Sequence, residues 1–213
     1  MMSNKIWKRM NHAWVWMKRI RHRCGYGVHS PFAFDFITNV IYERTPYYAY
    51  EDLEKELDGM AKLRGKEWKE EVPRKVRRLL FKMVNRMQPH CLLYVGPDSP
   101  AIPFLKAPRQ ALVLKRVDWE AQEPAAERDK WDFVVLDALR LKEGVPDWWK
   151  RWKGSLHAGS VLVIRGVGTS KENRAVWAWL KEQPETGISF DLYEVGIVFM
   201  DLSRVKQHYV VNF

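Results

Sequence analysis

Four apolar runs, separated by segments with helical spacing, occupy the second half of the chain. The runs are CLLYV (91–95), ALVLK (111–115), FVVLD (133–137) and SVLVIR (160–165). Residues 146–153 and 171–183 have the apolar periodicity of helices. Buried strands that alternate with helices are typical of a parallel sheet, because a crossover helix returns the chain to the edge from which the next strand starts. The pattern therefore predicts an α/β fold.

The sheet is expected to change character near the C-terminus. Residues 188–194, 197–201 and 208–213 have strand patterns with only short links between them, and short links favour antiparallel pairing. Residues 117–130 are polar, contain Pro124 and carry no strand signal. We therefore expect a mostly parallel sheet that is shortened after its second strand and completed by antiparallel C-terminal strands.

The first part of the chain is predicted to be helical. Ser30 is a suitable helix N-cap, and Pro31 suits the first helical position. Helices are expected over 32–42, over 51–63 and from Pro73 up to Pro89. We therefore predict a helical extension over residues 1–88, packed on an α/β domain over residues 89–213.

Positive charge is concentrated at the N-terminus of this chain of 213 residues, whose formal net charge is +10. Residues 5–23 contain no acid, and the basic residues there are Lys5, Lys8, Arg9, Lys18, Arg19, Arg21 and Arg23. Apolar residues recur between them at near-helical spacing, which predicts a basic amphipathic helix. Such a helix would dock on the body or on a second subunit, or would contact nucleic acid or an anionic membrane surface. The sequence leaves these alternatives open.

The remaining composition argues against several classes of protein. Cys24 and Cys91 form no spaced pair, so neither a disulfide framework nor a metal site is expected. No apolar stretch approaches the length of a transmembrane span, and the N-terminus lacks the features of a signal peptide. We therefore expect a cytoplasmic protein with no transmembrane segment and no metal.

The turn after the first strand resembles a nucleotide-binding turn that has lost most of its glycines. Gly96 ends the strand, and Pro97, Asp98, Ser99 and Pro100 follow it. In a working dinucleotide or adenosyl site several glycines let backbone N–H groups approach the ligand. Proline has no N–H, and the Asp98 side chain occupies space that glycine would leave open. The sequence thus predicts the strand end without the usual cradle.

Both ends of the chain carry motifs of a known group of proteins. The motifs are GVHSPF (27–32), TPYYAYE (45–51), ISFDLYEVGIVFMD (188–201) and KQHYVVNF (206–213). They resemble segments of a group of bacterial class I S-adenosylmethionine-dependent methyltransferase-like proteins, and the resemblance spans most of the chain. It implies a Rossmann-like class I fold and S-adenosylmethionine as the cofactor to be tested.

The resemblance also directs attention to four positions. In the family the first strand ends in an acid, where this chain has Tyr94, followed by glycines, of which Gly96 remains. The family's second strand ends in an acid that binds the ribose hydroxyls. Here the strand is expected to end at Lys115–Arg116, which would place a cation near the ligand. The candidate cofactor-binding residues are Gly96, Asp98, Asp118 and Asp137, and no catalytic residue is identified.

Three further features have both a structural and a functional interpretation. Asp98 would hydrogen-bond its own turn or a ligand amine. The Arg165–Gly168 segment would be a plain loop or an anion cradle built from N–H groups. The tryptophans in residues 148–152 are most simply explained as core or interface residues.

The residues therefore lead to three functional hypotheses. A methyltransferase homologue with a degenerate cofactor site would act as a non-catalytic scaffold or partner subunit, with a protein partner or as a homodimer. An active methyltransferase would bind S-adenosylmethionine in an altered way through Asp98, Asp118 and Asp137. A binding module would use the basic N-terminus on nucleic acid or on a membrane surface.

Overall fold

A seven-stranded sheet organises the molecule, with helices on both of its faces. The computed structural model describes residues 28–121, 130–137 and 144–213. The strands are β1 (Cys91–Val95), β2 (Val113–Val117), β3 (Trp131–Asp137), β4 (Leu156–Arg165), β5 (Ser189–Asp191), β6 (Val195–Phe199) and β7 (His208–Val210). Each strand that was predicted from an apolar run is present, with ends that differ by a few residues.

The strand order confirms a mostly parallel sheet with antiparallel pairing near the C-terminus. The order is β2-β1-β3-β4-β6-β5-β7. Strands β1 to β4 are parallel to one another, and β6 is antiparallel to both β4 and β5. The expectation that every short link joins antiparallel neighbours is wrong for β7, which pairs in parallel with β5. The link after β6 carries the chain past β5, so β6 and β7 are not neighbours.

Strand β2 is the outermost strand at its edge of the described sheet, as expected for a sheet shortened after its second strand. Its pairing with β1 continues to Val95 opposite Val117. The second strand is therefore displaced by two residues from the predicted 111–115, since the register with β1 and not the apolar run determines where it ends.

Five of the seven helices lie where the capping residues and apolar spacing predicted them, and the short helices Lys66–Glu70 and Ile102–Lys106 were not predicted. They are α1 (Pro31–Phe36), α2 (Ala49–Arg64), α3 (Lys66–Glu70), α4 (Arg74–Met87), α5 (Ile102–Lys106), α6 (Gly144–Trp152) and α7 (Lys171–Lys181). Helix α1 continues as a π-helical turn over Ile37–Ile41, and its Ser30 side chain accepts a hydrogen bond from the Ala33 N–H, which confirms the predicted N-cap. A three-residue 3-10 turn, Lys153–Ser155, follows α6.

The two faces of the sheet bury different cores. On one face Leu92 and Tyr94 of β1 pack with the apolar side of α4 and with the α1 region. On the other face Leu93 and Val95 pack in a tryptophan-rich cluster, which contains Trp131, Trp148, Trp149, Trp152 and Trp177. The interpretation of the tryptophans in residues 148–152 as core residues is thus confirmed.

Helices α1 and α4 share one continuous core with the sheet, so a large part of the first 88 residues packs directly on the strands. The boundary between residues 88 and 89 stays a prediction. In the described ranges no helix is long and apolar enough to cross a membrane. The same ranges contain no group of three or more His, Cys, Asp or Glu residues that is suited to hold a metal ion.

Candidate functional site

The carboxyl ends of three neighbouring parallel strands bring three polar side chains together. Tyr94 lies in β1, Asp137 ends β3 and Arg165 ends β4. Asp137 is paired in register with Arg165, and Tyr94 with Val135, so all three side chains lie on the α4 face of the sheet. Ligands of open α/β sheets bind at this edge.

The three side chains form a buried hydrogen-bonded group, which we call the polar bridge. Arg165 Nη1 donates to Asp137 Oδ2 at 2.7 Å, and the Tyr94 hydroxyl donates to the same oxygen at 3.3 Å. Arg165 Nη2 donates to the Glu71 carbonyl at 3.0 Å, which ties the sheet to the segment before α4. The three residues are 0%, 3% and 2% exposed in chain order. The polar bridge therefore joins the strands to the helical layer, and its side chains are shielded from water.

The electrostatics of the bridge keep Tyr94 protonated. Burial, followed by the charge of Asp137, raises the pKa of Tyr94 to about 12. A neutral phenol is a hydrogen-bond donor, which suits the carboxylate oxygen it faces. Asp137 Oδ1 is buried and has no hydrogen-bond partner among the described residues. The carboxylate thus places one oxygen in the ion pair and keeps the other without a partner.

Gly96 lies directly against the bridge. Its φ is +140°, and a Cβ at this position would lie 2.9 Å from the Asp137 Cβ and 3.6 Å from Tyr94 Cε1. Both the backbone conformation and the close approach require glycine. The Gly96 N–H donates to the Val117 carbonyl at 2.9 Å, and the Gly96 carbonyl accepts from Arg116 Nη1 at 3.2 Å. Its backbone polar groups are therefore already used within the protein.

The turn beyond Gly96 offers few free donors. Pro97, Pro100 and Pro103 have no N–H. The N–H groups of Ala101 and Ile102 donate to the side chain and carbonyl of Ser99. Helix α5, which follows, has only 5 residues. Few backbone N–H groups of this turn are therefore available to a ligand, and the loss of a cofactor cradle stays a prediction.

Asp98 contacts a different element from the one expected. Its carboxylate forms an ion pair with Arg64 in the last turn of α2, and both side chains are about half exposed. The guanidinium of Arg64 also lies 5.1 Å from the ring centroid of Trp68. An exposed pair of this kind contributes about 0–1 kcal/mol to stability. Asp98 therefore links the turn to the helical layer.

Asp118 immediately follows the last residue of β2. The expectation that the strand ends at Lys115–Arg116 is wrong, because pairing with β1 continues to Val117. Asp118 is thus the first residue beyond β2 and lies across from Gly96, the first residue beyond β1. Arg116 Nη1 lies 3.2 Å from Asp118 Oδ1.

The cation expected at this strand end is Arg116 and not Lys115. The Lys115 ammonium lies 6.0 Å from the ring centroid of Trp131, at the start of β3, and so points away from the carboxyl edge. Arg116 contacts both the Gly96 carbonyl and Asp118. The cation nearest this strand end is therefore Arg116, and it is paired with Asp118.

The loop after β4 is not an anion cradle. The Gly166 N–H donates to the Glu194 carbonyl at 2.6 Å, and the Gly168 N–H donates to the Tyr193 carbonyl at 2.7 Å. A Cβ on Gly168 would lie 2.3 Å from the Tyr193 ring, so this glycine is required for packing. Of the two readings, the plain loop is correct.

Sequence reasoning found Gly96 and Asp137 but missed the role of Arg165. The sequence did carry a signal for this pair, because two neighbouring buried strands end in residues of opposite charge, Asp137 and Arg165. Parallel strands of a βαβ fold bring those last residues to one edge. The basic segment 5–23 and its nucleic-acid or membrane role lie outside the described residues and stay predictions.

The polar groups at the carboxyl edge of the sheet are largely engaged with other groups of the protein. Tyr94 stands where the resemblance implies an acid at the end of the first strand. The turn after Gly96 offers few N–H groups, and Asp137 is paired with Arg165. Asp118 Oδ1 accepts a hydrogen bond from Arg116 Nη1. The carboxyl edge of the sheet is thus built to hold its own side chains together.

Comparison with known proteins identifies the fold. A candidate caffeoyl-CoA O-methyltransferase from Staphylococcus aureus superposes with a TM-score of 0.53 at 12% identity, over 68% of this chain and 90% of that one. A candidate O-methyltransferase from Klebsiella pneumoniae has a TM-score of 0.53 at 10% identity, over 76% of this chain and 94% of that one. No family model matches the chain, and no curated protein matches it by sequence. The chain has the Rossmann-like fold of class I methyltransferases.

Proposed function

We propose that this chain is a non-catalytic protein of the class I methyltransferase fold, in which the cofactor edge has become a structural element. The observation that carries the proposal is the buried contact between Arg165 and Asp137 at 2.7 Å, with Gly96 packed against it. With Arg165 and Asp137 paired, the carboxyl edge of the sheet stabilises the packing of the helices on the strands. The protein then acts as a scaffold or partner subunit, in a hetero-complex or as a homodimer.

A cofactor at the carboxyl edge would lack several of the contacts that stabilise its binding. A hydrogen bond to a charged group contributes about 1.5–3 kcal/mol, which corresponds to roughly 10–100-fold in affinity. Replacement of the first-strand acid by Tyr94 and loss of turn N–H groups each remove such contacts. Arg116 pairs with Asp118 and so competes with a ligand for that carboxylate. Together these changes favour very weak binding.

Calorimetric titration of the full chain with S-adenosylmethionine and S-adenosylhomocysteine tests the proposal. We expect no binding, or a Kd of about 1 mM or weaker, for either compound. A Kd in the low micromolar range for either one would overturn the proposal.

A second candidate function is an active methyltransferase with an altered cofactor pose. The position of Asp118 directly after Val117 favours it, and so does the unpartnered Asp137 Oδ1, which would accept a hydrogen bond from a ligand amine. In this case Asp118 would hold the ribose hydroxyls.

The variant Asp118→Asn separates the two candidates. An active methyltransferase would lose about 10-fold or more in affinity for S-adenosylhomocysteine, since one charged acceptor is removed. Asp147→Asn is a matched control, because Asp147 is similarly exposed (71% against 72%) and also lies within 4 Å of one basic side chain. Equal affinities in both variants would exclude a ribose-binding role for Asp118.

A further inference from the structure

A cavity of about 970 Å³ lies away from the polar bridge, between the segment 43–51 and the first half of α4. We call it the basic groove. Its walls include Arg44, Tyr48 and Tyr50 on the first side and Arg78 and Lys82 on the second. Its volume lies in the range of small-molecule sites, which is about 300–1,000 Å³. It is therefore large enough to hold a ligand of nucleotide size.

Positive charge dominates the lining of the basic groove. The cations are Arg44, Arg74, Lys75, Arg78 and Lys82, and the acids are Glu43 and Glu51. Arg74 and Lys75 are paired with Glu54 and Glu194, at 3.3 and 2.8 Å. Neither Arg44 nor Arg78 has a carboxylate partner within residues 28–121, 130–137 and 144–213. Two guanidinium groups thus remain available for an anion.

Two buried polar atoms in the wall of the groove have no hydrogen-bond partner among the described residues. They are the Tyr50 hydroxyl and Arg78 Nε. Tyr50 is 6% exposed, and the Arg78 guanidinium lies 4.5 Å from its ring centroid. A buried donor without a partner costs about 1–3 kcal/mol. An anionic oxygen in the groove would accept hydrogen bonds from these donors and remove that cost.

The position of Lys82 strengthens the positive field. Lys82 is 7% exposed, and its ammonium donates to the carbonyls of Ile41 and Glu43, at 3.0 Å each. Because water screens a buried ammonium less than an exposed one, its charge acts on an anion in the groove with greater effect.

The ring of Tyr48, which lines the basic groove, is exposed to solvent. Tyr48 is 100% exposed although it lines the groove, whereas the neighbouring Tyr47 is held by Glu43 through its hydroxyl. Planar bases stack on exposed aromatic rings with about 1–3 kcal/mol per base. The groove therefore combines free guanidinium groups with a free stacking surface.

We propose that the basic groove binds a nucleoside diphosphate, with the phosphates on Arg44 and Arg78 and the base stacked on Tyr48. The guanidinium fork matches phosphate oxygens in geometry as well as in charge. The groove shares no residue with the polar bridge. The inference therefore goes beyond the proposed function and holds whether or not the carboxyl edge binds S-adenosylmethionine.

Calorimetry of the full chain with ADP, inorganic pyrophosphate and S-adenosylhomocysteine tests this assignment. We expect ADP to bind more tightly than pyrophosphate by about 10-fold, because only ADP has a base to stack. S-adenosylhomocysteine has the adenine but no phosphate, so it should not compete with ADP. Absence of ADP binding at 1 mM, or competition by S-adenosylhomocysteine, would overturn the proposal.

Three variants locate the site. Tyr48→Ala, at a fully exposed position, should lower ADP affinity about 10-fold and leave pyrophosphate binding unchanged. Arg78→Met should lower the affinity for both ligands about 10-fold or more, and Arg44→Gln, on the exposed side, should act in the same direction. Arg86→Gln is the matched control, because Arg86 lies on the same helix but outside the groove.

Each variant result has a defined meaning. ADP binding that survives both Arg78→Met and Arg44→Gln would place the ligand elsewhere and overturn the assignment. Equal affinities for ADP and pyrophosphate would reject a nucleoside ligand. Lower ADP affinity in the groove variants, together with wild-type ADP affinity in Arg86→Gln, would support the proposed site.

Discussion

The guanidinium of Arg165 lies 2.7 Å from the carboxylate of Asp137, with both side chains almost completely buried at the ends of neighbouring parallel strands. An ion pair in such a place needs good geometry and further hydrogen bonds to offset its desolvation. The Tyr94 hydroxyl and the Glu71 carbonyl supply those hydrogen bonds. The carboxyl edge of this sheet is thus occupied by a contact that links strands and helices.

Removal of one member of this pair should be far more damaging than removal of both charges. Arg165→Met leaves the Asp137 carboxylate buried without a counter-ion, which we expect to cost about 3–5 kcal/mol in the free energy of unfolding. The double variant Asp137→Asn with Arg165→Met carries no buried charge and should recover most of that loss. Urea denaturation of the two proteins measures the difference. An equally large loss in both would show that the charges are not the source of the effect.

The glycine at the end of β1 can be tested against two other glycines. Gly96→Ala meets both a positive φ and a contact of 2.9 Å, so we expect a loss of more than about 2 kcal/mol. Gly65→Ala meets the unfavourable backbone conformation alone, in open space, and should cost about 1–3 kcal/mol, less than Gly96→Ala, which adds a close contact. Gly59→Ala lies inside α2 in open space and should stabilise the protein by up to about 1 kcal/mol. Thermal unfolding measures the stabilities of the three variants. A Gly96→Ala variant as stable as Gly65→Ala would contradict the close packing of Gly96 against Asp137.

Lys82 should make stability depend on pH in the alkaline range. Burial, opposed in part by Glu43 and reinforced by Arg78, lowers the pKa of Lys82 from its ordinary 10.5 to about 8. Between these values the unfolded chain binds more protons than the folded one, so the free energy of unfolding rises with pH. The whole shift corresponds to about 3 kcal/mol.

The variant Lys82→Met isolates this effect. It loses the hydrogen bonds to Ile41 and Glu43 at every pH, but it has no ammonium to titrate. Wild type should therefore gain stability relative to the variant as pH rises from 8 to 10.5. Denaturation curves at several pH values measure the difference in the free energy of unfolding between wild type and variant. A difference that stays constant over this range would contradict the lowered pKa of Lys82.

The start of α7 provides a local test of helix capping. The Ser170 hydroxyl accepts a hydrogen bond from the Asn173 N–H at 3.0 Å. Ser170→Ala should cost about 1 kcal/mol, while Ser170→Asp should retain most of the stability because Asp is also a good N-cap. Chemical denaturation compares them, and equal stabilities for the Ala and Asp variants would argue against the cap.

Much of the architecture could be predicted from local patterns. Alternation of buried apolar runs with helical segments is a short-range property, and it indicated the parallel sheet, the helices near Ser30 and Pro73, and the shortened edge after the second strand. The prolines after Gly96 likewise predicted a turn with few donors, since the missing N–H groups are a property of the residue itself.

The candidate site depended on contacts between distant parts of the chain. Where β2 ends was decided by its register with β1, which moved Asp118 to the strand end and Arg116 to the Gly96 carbonyl. The pairing of Asp98 with Arg64 and the parallel placement of β7 beside β5 also needed the assembled molecule.

The amino-acid sequence by itself determined the class of fold and the scarcity of backbone donors after Gly96, because hydrophobic periodicity and backbone donors are properties of neighbouring residues. Only the tertiary structure decided that Arg165 neutralises Asp137, and that Arg78 and Arg44 face a cavity with Tyr48. The physical reason is that electrostatic and packing energies depend on distances in space, and residues that lie far apart in the chain set those distances here.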